Sequence, residues 1–204
     1  MFARSTTIQG DPGSIEAGIV YIRDDVMPAI TAMDGCLGLS LVVDRESGRC
    51  IATSSWDSEA SLRASADRLA SYRARGGDIL GGTPAVEEWE VAVMHRDHAT
   101  AEGACCRITW AHPRDLDATV DMWRTRLLAQ FEEMDGFCSA SLLVDRARGI
   151  TCGTVTFDSH DALTASRDRA REIRDTANRE MGVAFLDVAE FELALAHLRL
   201  PELV

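Results

Sequence analysis

The apolar positions of this chain switch between two periods. Ile15, Ile19, Ile22, Val26, Ile30 and Met33 recur at spacings of three and four, which predicts one helical stripe starting after the Asp11-Pro12-Gly13-Ser14 turn. Pro28 lies inside the stripe and should kink or interrupt the helix, because it lacks a backbone donor and crowds the preceding turn. The period then falls to two. Leu37, Leu39, Leu41 and Val43 alternate with Gly38, Ser40 and Val42, predicting a strand, and Arg49 to Trp56 returns from a hairpin loop at Asp44 to Gly48. Asp57-Ser58 supplies an N-cap for a second helix whose inner side should hold Leu62, Ser65, Leu69 and Tyr72, and which Gly76-Gly77 should stop. With Phe2 to Ile8 as a first strand and Trp89, Val91 and Val93 in a fourth, the half reads β-α-β-β-α-β.

The same programme then repeats. Met33-Asp34-Gly35, Asp44-Arg45, Gly48 and Trp56-Asp57-Ser58 return, shifted by 101 residues, as Met134-Asp135-Gly136, Asp145-Arg146, Gly149 and Phe157-Asp158-Ser159. The helical stripe returns as Leu116, Val120, Trp123, Leu127, Phe131 and Met134. A unit of this length is a duplicated domain rather than a solenoid repeat. The predicted division is repeat one at 1–95, a polar linker at 96–103, and repeat two at 104–204. Each half has the split βαβ, ferredoxin-like pattern, so the fold class is α+β. One apolar stripe per helix places both helices on one face of each sheet. The other face carries Val42, Ile51, Phe137, Leu143 and Ile150, which are too apolar to leave in water. The two sheets are therefore expected to face each other within one chain, without exchanging strands.

Composition narrows the function classes. The net charge of −12 disfavours binding to nucleic acid or to an anionic membrane surface. No apolar run is long enough to span a bilayer, and the N-terminus lacks a signal core, so a cytoplasmic protein is expected. None of the six cysteines has a counterpart in the other repeat and no CxxC spacing occurs, so they read as small buried hydrophobes. The histidines show no metal-ligand spacing and no phosphate-loop or nucleophile motif is present, so no metal ligand, cofactor site or catalytic residue is assigned.

Some side chains remain as candidates. Pairing Val43 with Cys50 would set Trp56 opposite Leu37, on the face that Leu39 and Leu41 turn to the helices. There Trp56, with Phe157 in the second copy, reads as core filler or as the wall of a pocket. Tyr72 and Trp123, which stand opposite Ile173 and Ile22 in the other copy, are further pocket-lining candidates. Arg23 and Arg124 match across the repeats beside the apolar stripe, placed either to pair with an acidic neighbour or to hold an anionic ligand. Ser40 with Thr53, and Ser141 with Thr154, fall opposite each other on the face turned from the helices, as cross-strand hydrogen-bonding pairs or as the lining of a wet cavity. The matched Glu88/Glu190 and Glu90/Glu192 read as a solvated strand face.

The run of helix, Met-Asp-Gly, strand, Asp-Arg turn, strand, Trp-Asp-Ser and helix resembles the antibiotic-biosynthesis-monooxygenase-like superfamily, the dimeric α+β barrels, over nearly the whole chain. Members typically carry Pro-Gly where this chain has Asp34-Gly35 and Asp135-Gly136. The resemblance implies a fused pair, two ferredoxin-like repeats forming an intramolecular dimeric α+β barrel, and leaves further homo-oligomerisation open. It implies a ligand pocket between sheet and helices. It spans cofactor-free oxygenases of polyketide quinones, haem-degrading enzymes and members without known activity. The haem-degrading branch uses a His on the second helix, an Asn on the first strand and a Trp ending the third strand. Only Trp56 carries over, since His160 sits at the start of its helix and the sole Asn is Asn178. The resulting expectation is a small-ligand-binding protein without a recognisable catalytic set and without a cofactor. The alternative is a cofactor-free monooxygenase acting on a small aromatic or polyketide-like substrate.

Overall fold

A computed structural model describes residues 1–100 and 102–204; Ala101, inside the predicted linker, lies outside the described residues. Eight strands form: β1 (Phe2–Gln9), β2 (Cys36–Asp44), β3 (Arg49–Trp56), β4 (Ala85–Arg96), β5 (Cys105–His112), β6 (Phe137–Asp145), β7 (Ile150–Phe157) and β8 (Ala184–Leu198). In hydrogen-bonding order they run β1-β3-β2-β8-β5-β7-β6-β4, a closed barrel. This is the expected α+β architecture of two tandem ferredoxin-like repeats.

The first helix is less regular than its apolar stripe. It comprises α1 (Ile15–Tyr21), a π-helical turn at Ile22–Val26, and α2 (Met27–Thr31). Pro28 is not the cause. The second copy has the same build, α5 (Leu116–Met122), a π turn at Trp123–Leu127 and α6 (Leu128–Glu132), with Ala129 in the place of Pro28. A π turn adds one residue to the helical circuit and re-aims the side chains around it.

The second helix also differs from expectation. It breaks at Ser65 into α3 (Glu59–Ala64) and α4 (Ala66–Leu80), and in the second copy at Ser166 into α7 (His160–Ala165) and α8 (Arg167–Met181). The predicted caps form, with Ser58 and Ser159 accepting from the backbone N–H groups of Ser61 and Ala162, both at 3.2 Å. Gly76-Gly77 does not end α4. A Cβ at Gly77 would stand 2.7 Å from the Gly82 carbonyl oxygen, so that glycine serves a close approach of backbone to backbone. Gly81, at φ +75°, ends the helix instead.

The hairpins follow the predicted register, with Ser40 opposite Thr53 and Ser141 opposite Thr154. Their far ends do not. A bulge between Cys36 and Gly38 sets Trp56 opposite Cys36 rather than Leu37. The matching bulge between Phe137 and Ser139 turns Phe137 into the helix-covered core instead of the opposite face.

Two compact units emerge, and they cut across the repeats. The first contains Met1–Trp89 with Leu193–Leu200; the second contains Glu90–Glu192 with Pro201–Val204. The division at 1–95 and 104–204 describes the duplicated sequence, whereas the units trade the outer halves of the fourth strands. β4 and β8 are 12 and 15 residues long, against eight or nine for the others, so each is long enough to serve both units. Within the first unit, Arg199 N–H donates to the Leu37 carbonyl at 2.8 Å. Within the second, β4 from Glu90 onward pairs with β6. The expectation of unexchanged strands is thus corrected. The first unit's cores gather Ile15, Leu41 and Leu80, and Leu39, Trp56 and Leu62; the second's gathers Trp123, Phe131 and Leu142. All six cysteines are free thiols and five are buried.

Candidate functional site

In each unit a cavity lies between sheet and helices, about 70 Å³ in the first and about 80 Å³ in the second. The walls are apolar side chains from strands and helices, and the π turns contribute Ile22 and Val26 in one, Trp123 and Leu127 in the other. Trp123 packs edge-on to Phe131 at 5.3 Å between centroids. Among the described residues, neither lining contains a histidine, aspartate or glutamate.

The candidates from sequence divide around these cavities. Tyr72 lines the first, and Trp123 and Phe157 line the second. Trp56 is fully buried beside the first cavity without lining it, its indole N–H donating to Ser54 Oγ at 3.1 Å. Arg23 is exposed and pairs with Asp24 at 2.7 Å. Arg124 donates to the Ala92 carbonyl at 2.9 Å and does not reach the cavity wall.

The charged part of each wall comes from arginines that sequence reasoning missed, while Thr6, Ser54 and Tyr72 in the first and Thr109, Thr119 and Thr151 in the second add hydroxyls. Arg4 on β1 is 3% exposed. It donates to Glu88 (Nη2–Oε1 2.7 Å), Ser65 Oγ (2.7 Å) and the Leu62 carbonyl (2.8 Å). Arg107 on β5 repeats this with Glu190 (2.7 Å), Ser166 Oγ (2.9 Å) and the Leu163 carbonyl (2.9 Å). Glu88 and Glu190 are therefore structural partners rather than a plain solvated face. The helix break at Ser65 and Ser166 sits where the Leu62 and Leu163 carbonyls accept from both the arginine and the serine hydroxyl. Burial pushes the Glu190 carboxyl up, but hydrogen bonds from Arg167 and Arg107 outweigh it and hold the pKa below the usual value.

A second arginine faces each cavity, Arg73 on α4 and Arg174 on α8. Burial lowers the pKa of both, and the nearby Arg4 or Arg107 lowers it further. Arg73 donates to the Ala66 carbonyl at 2.8 Å. Arg174 makes no hydrogen bond among the described residues; Asp175 and Glu190 attract it and Arg171 repels it.

A separate cluster lies in the second unit. The side-chain ligand atoms of His98, Cys138 and Asp158 come within 4.8 Å of one another and could hold a divalent ion. His98 sits between two carboxylates, with Nδ1 at 2.8 Å from Asp97 and Nε2 at 2.8 Å from Asp158, so protonation satisfies the ring without an ion. No spacing signal marks this group in the sequence, because its members come from the predicted linker, β6 and the residue after β7.

No protein-family model matches the sequence. Two Mycobacterium tuberculosis proteins do. Rv2557 is 53% identical over 206 residues, covering 100% of this chain and 92% of its own length. Rv2558 is 52% identical over 209 residues, covering 100% and 88%. Among solved structures, a candidate monooxygenase from Lactobacillus acidophilus superposes with a TM-score of 0.68 at 10% identity, covering 97% of this chain and 96% of its own. A ferredoxin-fold protein related to antibiotic biosynthesis monooxygenases, from Listeria monocytogenes, gives 0.55 at 14%, covering 95% and 94%. The heme-degrading enzyme LmHde of Listeria monocytogenes gives 0.53 at 11%, covering 95% and 99%. Likeness at such identities establishes the fold. The chain belongs to the family of Rv2557 and Rv2558, and carries the antibiotic-biosynthesis-monooxygenase-like α+β barrel as a fused tandem repeat.

Proposed function

We propose that this protein binds a small organic molecule between the sheet and helices of a repeat. One observation carries the reading: both repeats keep an apolar cavity in the same place, each faced by two arginines, Arg4 with Arg73 and Arg107 with Arg174. An apolar concavity with a few convergent polar groups is the common form of a small-molecule site. A lining without histidine or carboxylate offers no ordinary general base, which favours binding over acid–base chemistry. The two cavities have about half the volume of a 150 Å³ apolar cavity that holds one benzene, so a ring-sized ligand requires the walls to open.

The test is thermal denaturation across a panel of small aromatic and aliphatic compounds, followed by native mass spectrometry of the purified protein. Saturable binding at one or two molecules per chain, raising the melting temperature, is expected. A panel in which nothing shifts melting, and a preparation with no retained ligand, would overturn it. The likeness to monooxygenase folds favours a second reading, cofactor-free oxygenation of such a ligand. Oxygen consumption with the ligands found in the first test decides between them.

A further inference from the structure

The two cavities are alike in volume and in the charge of their linings, and unlike in the charged groups around them. Around the second, three guanidiniums share one carboxylate: Glu190 accepts from Arg107 (2.7 Å) and Arg167 (2.6 Å), while Arg174 stands without a hydrogen bond among the described residues. In the first repeat the position of Arg167 is Ala66, and Arg73 uses the carbonyl of that residue. The difference extends outward. Met122, Leu127, Ile173 and Ala177 are shared between the wall of the second cavity and a polar cleft of about 310 Å³, whose lining includes Arg126, Arg169 and Arg179. At the positions of Arg126 and Arg179 the first repeat carries Asp25 and Asp78. Glu172, Asp175 and Glu180 offset part of this charge, Glu180 by pairing with Arg126 at 3.2 Å. Among the described residues Arg174 makes no ion pair, although Asp175 and Glu190 attract it, on a protein whose net charge is −12.

We propose that the second-repeat cavity binds a small organic monoanion, its apolar body against Trp123 and its carboxylate-like group on Arg174, reached through the cleft bearing Arg126, Arg169 and Arg179. This rests on the small-molecule reading above and names the chemical class. A half-buried guanidinium with unused donors loses hydration without compensation, and a planar carboxylate meets its fork geometry with two charge-assisted hydrogen bonds. The body must be small and apolar, because the rest of the wall offers dispersion contacts and few polar partners. Arg107 is the supporting group: its donors are already spent on Glu190, Ser166 and Leu163, so it fixes the site's charge without competing for the ligand.

The experiment uses benzoate and its neutral isostere benzamide on the full chain, with calorimetric titration and tryptophan fluorescence as readouts. Benzoate is expected to bind at least about tenfold tighter than benzamide, the scale of a hydrogen bond to a charged group. Arg174→Gln should bring the two affinities together, with an unchanged far-ultraviolet circular dichroism spectrum reporting that the variant is folded. Arg73→Gln should leave the ratio unchanged. Equal affinity for the two probes in the unaltered protein would overturn the anion assignment and leave the small-molecule reading standing. Loss of the ratio in Arg73→Gln instead would overturn its placement in the second repeat. Failure of both probes to bind at millimolar concentration would overturn the anion assignment, while the small-molecule reading stands or falls on the compound panel above.

Discussion

A fully buried guanidinium is costly unless its donors are used, and Arg107, 5% exposed, is such a case. Replacing it with Leu strips Ser166, the Leu163 carbonyl and Glu190 of a shared partner. The expected cost is roughly 3 kcal/mol in urea melts, with no rescue by Lys, which lacks the fork. Arg126→Ala, which breaks a pair half exposed on both sides, should cost less than about 1 kcal/mol in the same measurement. His98 gives a test by pH. Hydrogen bonds to Asp97 and then Asp158 raise its pKa above the ordinary 6.5. A raised folded-state value means the protonated ring stabilises the fold fully below about pH 6.5, with the contribution lost as pH climbs through the folded pKa. An NMR titration should therefore place the His98 midpoint above 6.5, and Asp158→Asn should move it back down. None of these arginine and histidine roles was legible in the sequence. Arg4 and Arg107 are 103 residues apart while the helices and hairpins match at 101, so the spacing that marks the duplication does not align the pair. The loop after the first strand is two residues shorter in the second copy. Glu88 and Glu190 were visible, but alternation alone assigns a residue to a face and says nothing of a buried partner across it.

At the scale of elements the apolar periods predicted what exists and missed how it is joined. Hairpin registers were readable because a slip of one residue would turn every apolar side chain out of the core. The π turns and the bulges beside Gly38 and Ser139 were not, since each adds a residue without changing the local composition. The glycine pair of α4 shows how two identical residues can differ. A Cβ on Gly76 would meet Ile8 and Tyr21 at 3.8 Å, ordinary contact, and one on Gly77 would press on Gly82 and Pro84. Gly76→Ala should therefore stabilise by about 0.5–1 kcal/mol through reduced freedom of the unfolded chain. Gly77→Ala should destabilise by about 1–3 kcal/mol through overpacking. Thermal melts of the two variants check both signs.

For the whole molecule, the duplication was legible and the strand exchange was not, because pairing partners leave no mark on period. The exchange has a direct test. A fragment of residues 104–204 lacks Glu90–Arg96, the stretch that pairs with β6, and so leaves that strand's edge bare. It should form a dimer or aggregate; light scattering that found a folded, cooperatively melting monomer would overturn this. The paired π turns, finally, carry a date. One is built from Ile-Arg-Asp-Asp-Val and the other from Trp-Arg-Thr-Arg-Leu, at matched positions, and only the arginine is common to both. Two independent insertions at one place in two unlike segments require more events than a single one copied. Parsimony sets the insertion in the ancestor, before the gene doubled. That ancestor already owned the hollow beneath its helix, and the two descendants have since kept the backbone while trading the residues that give each hollow its chemistry.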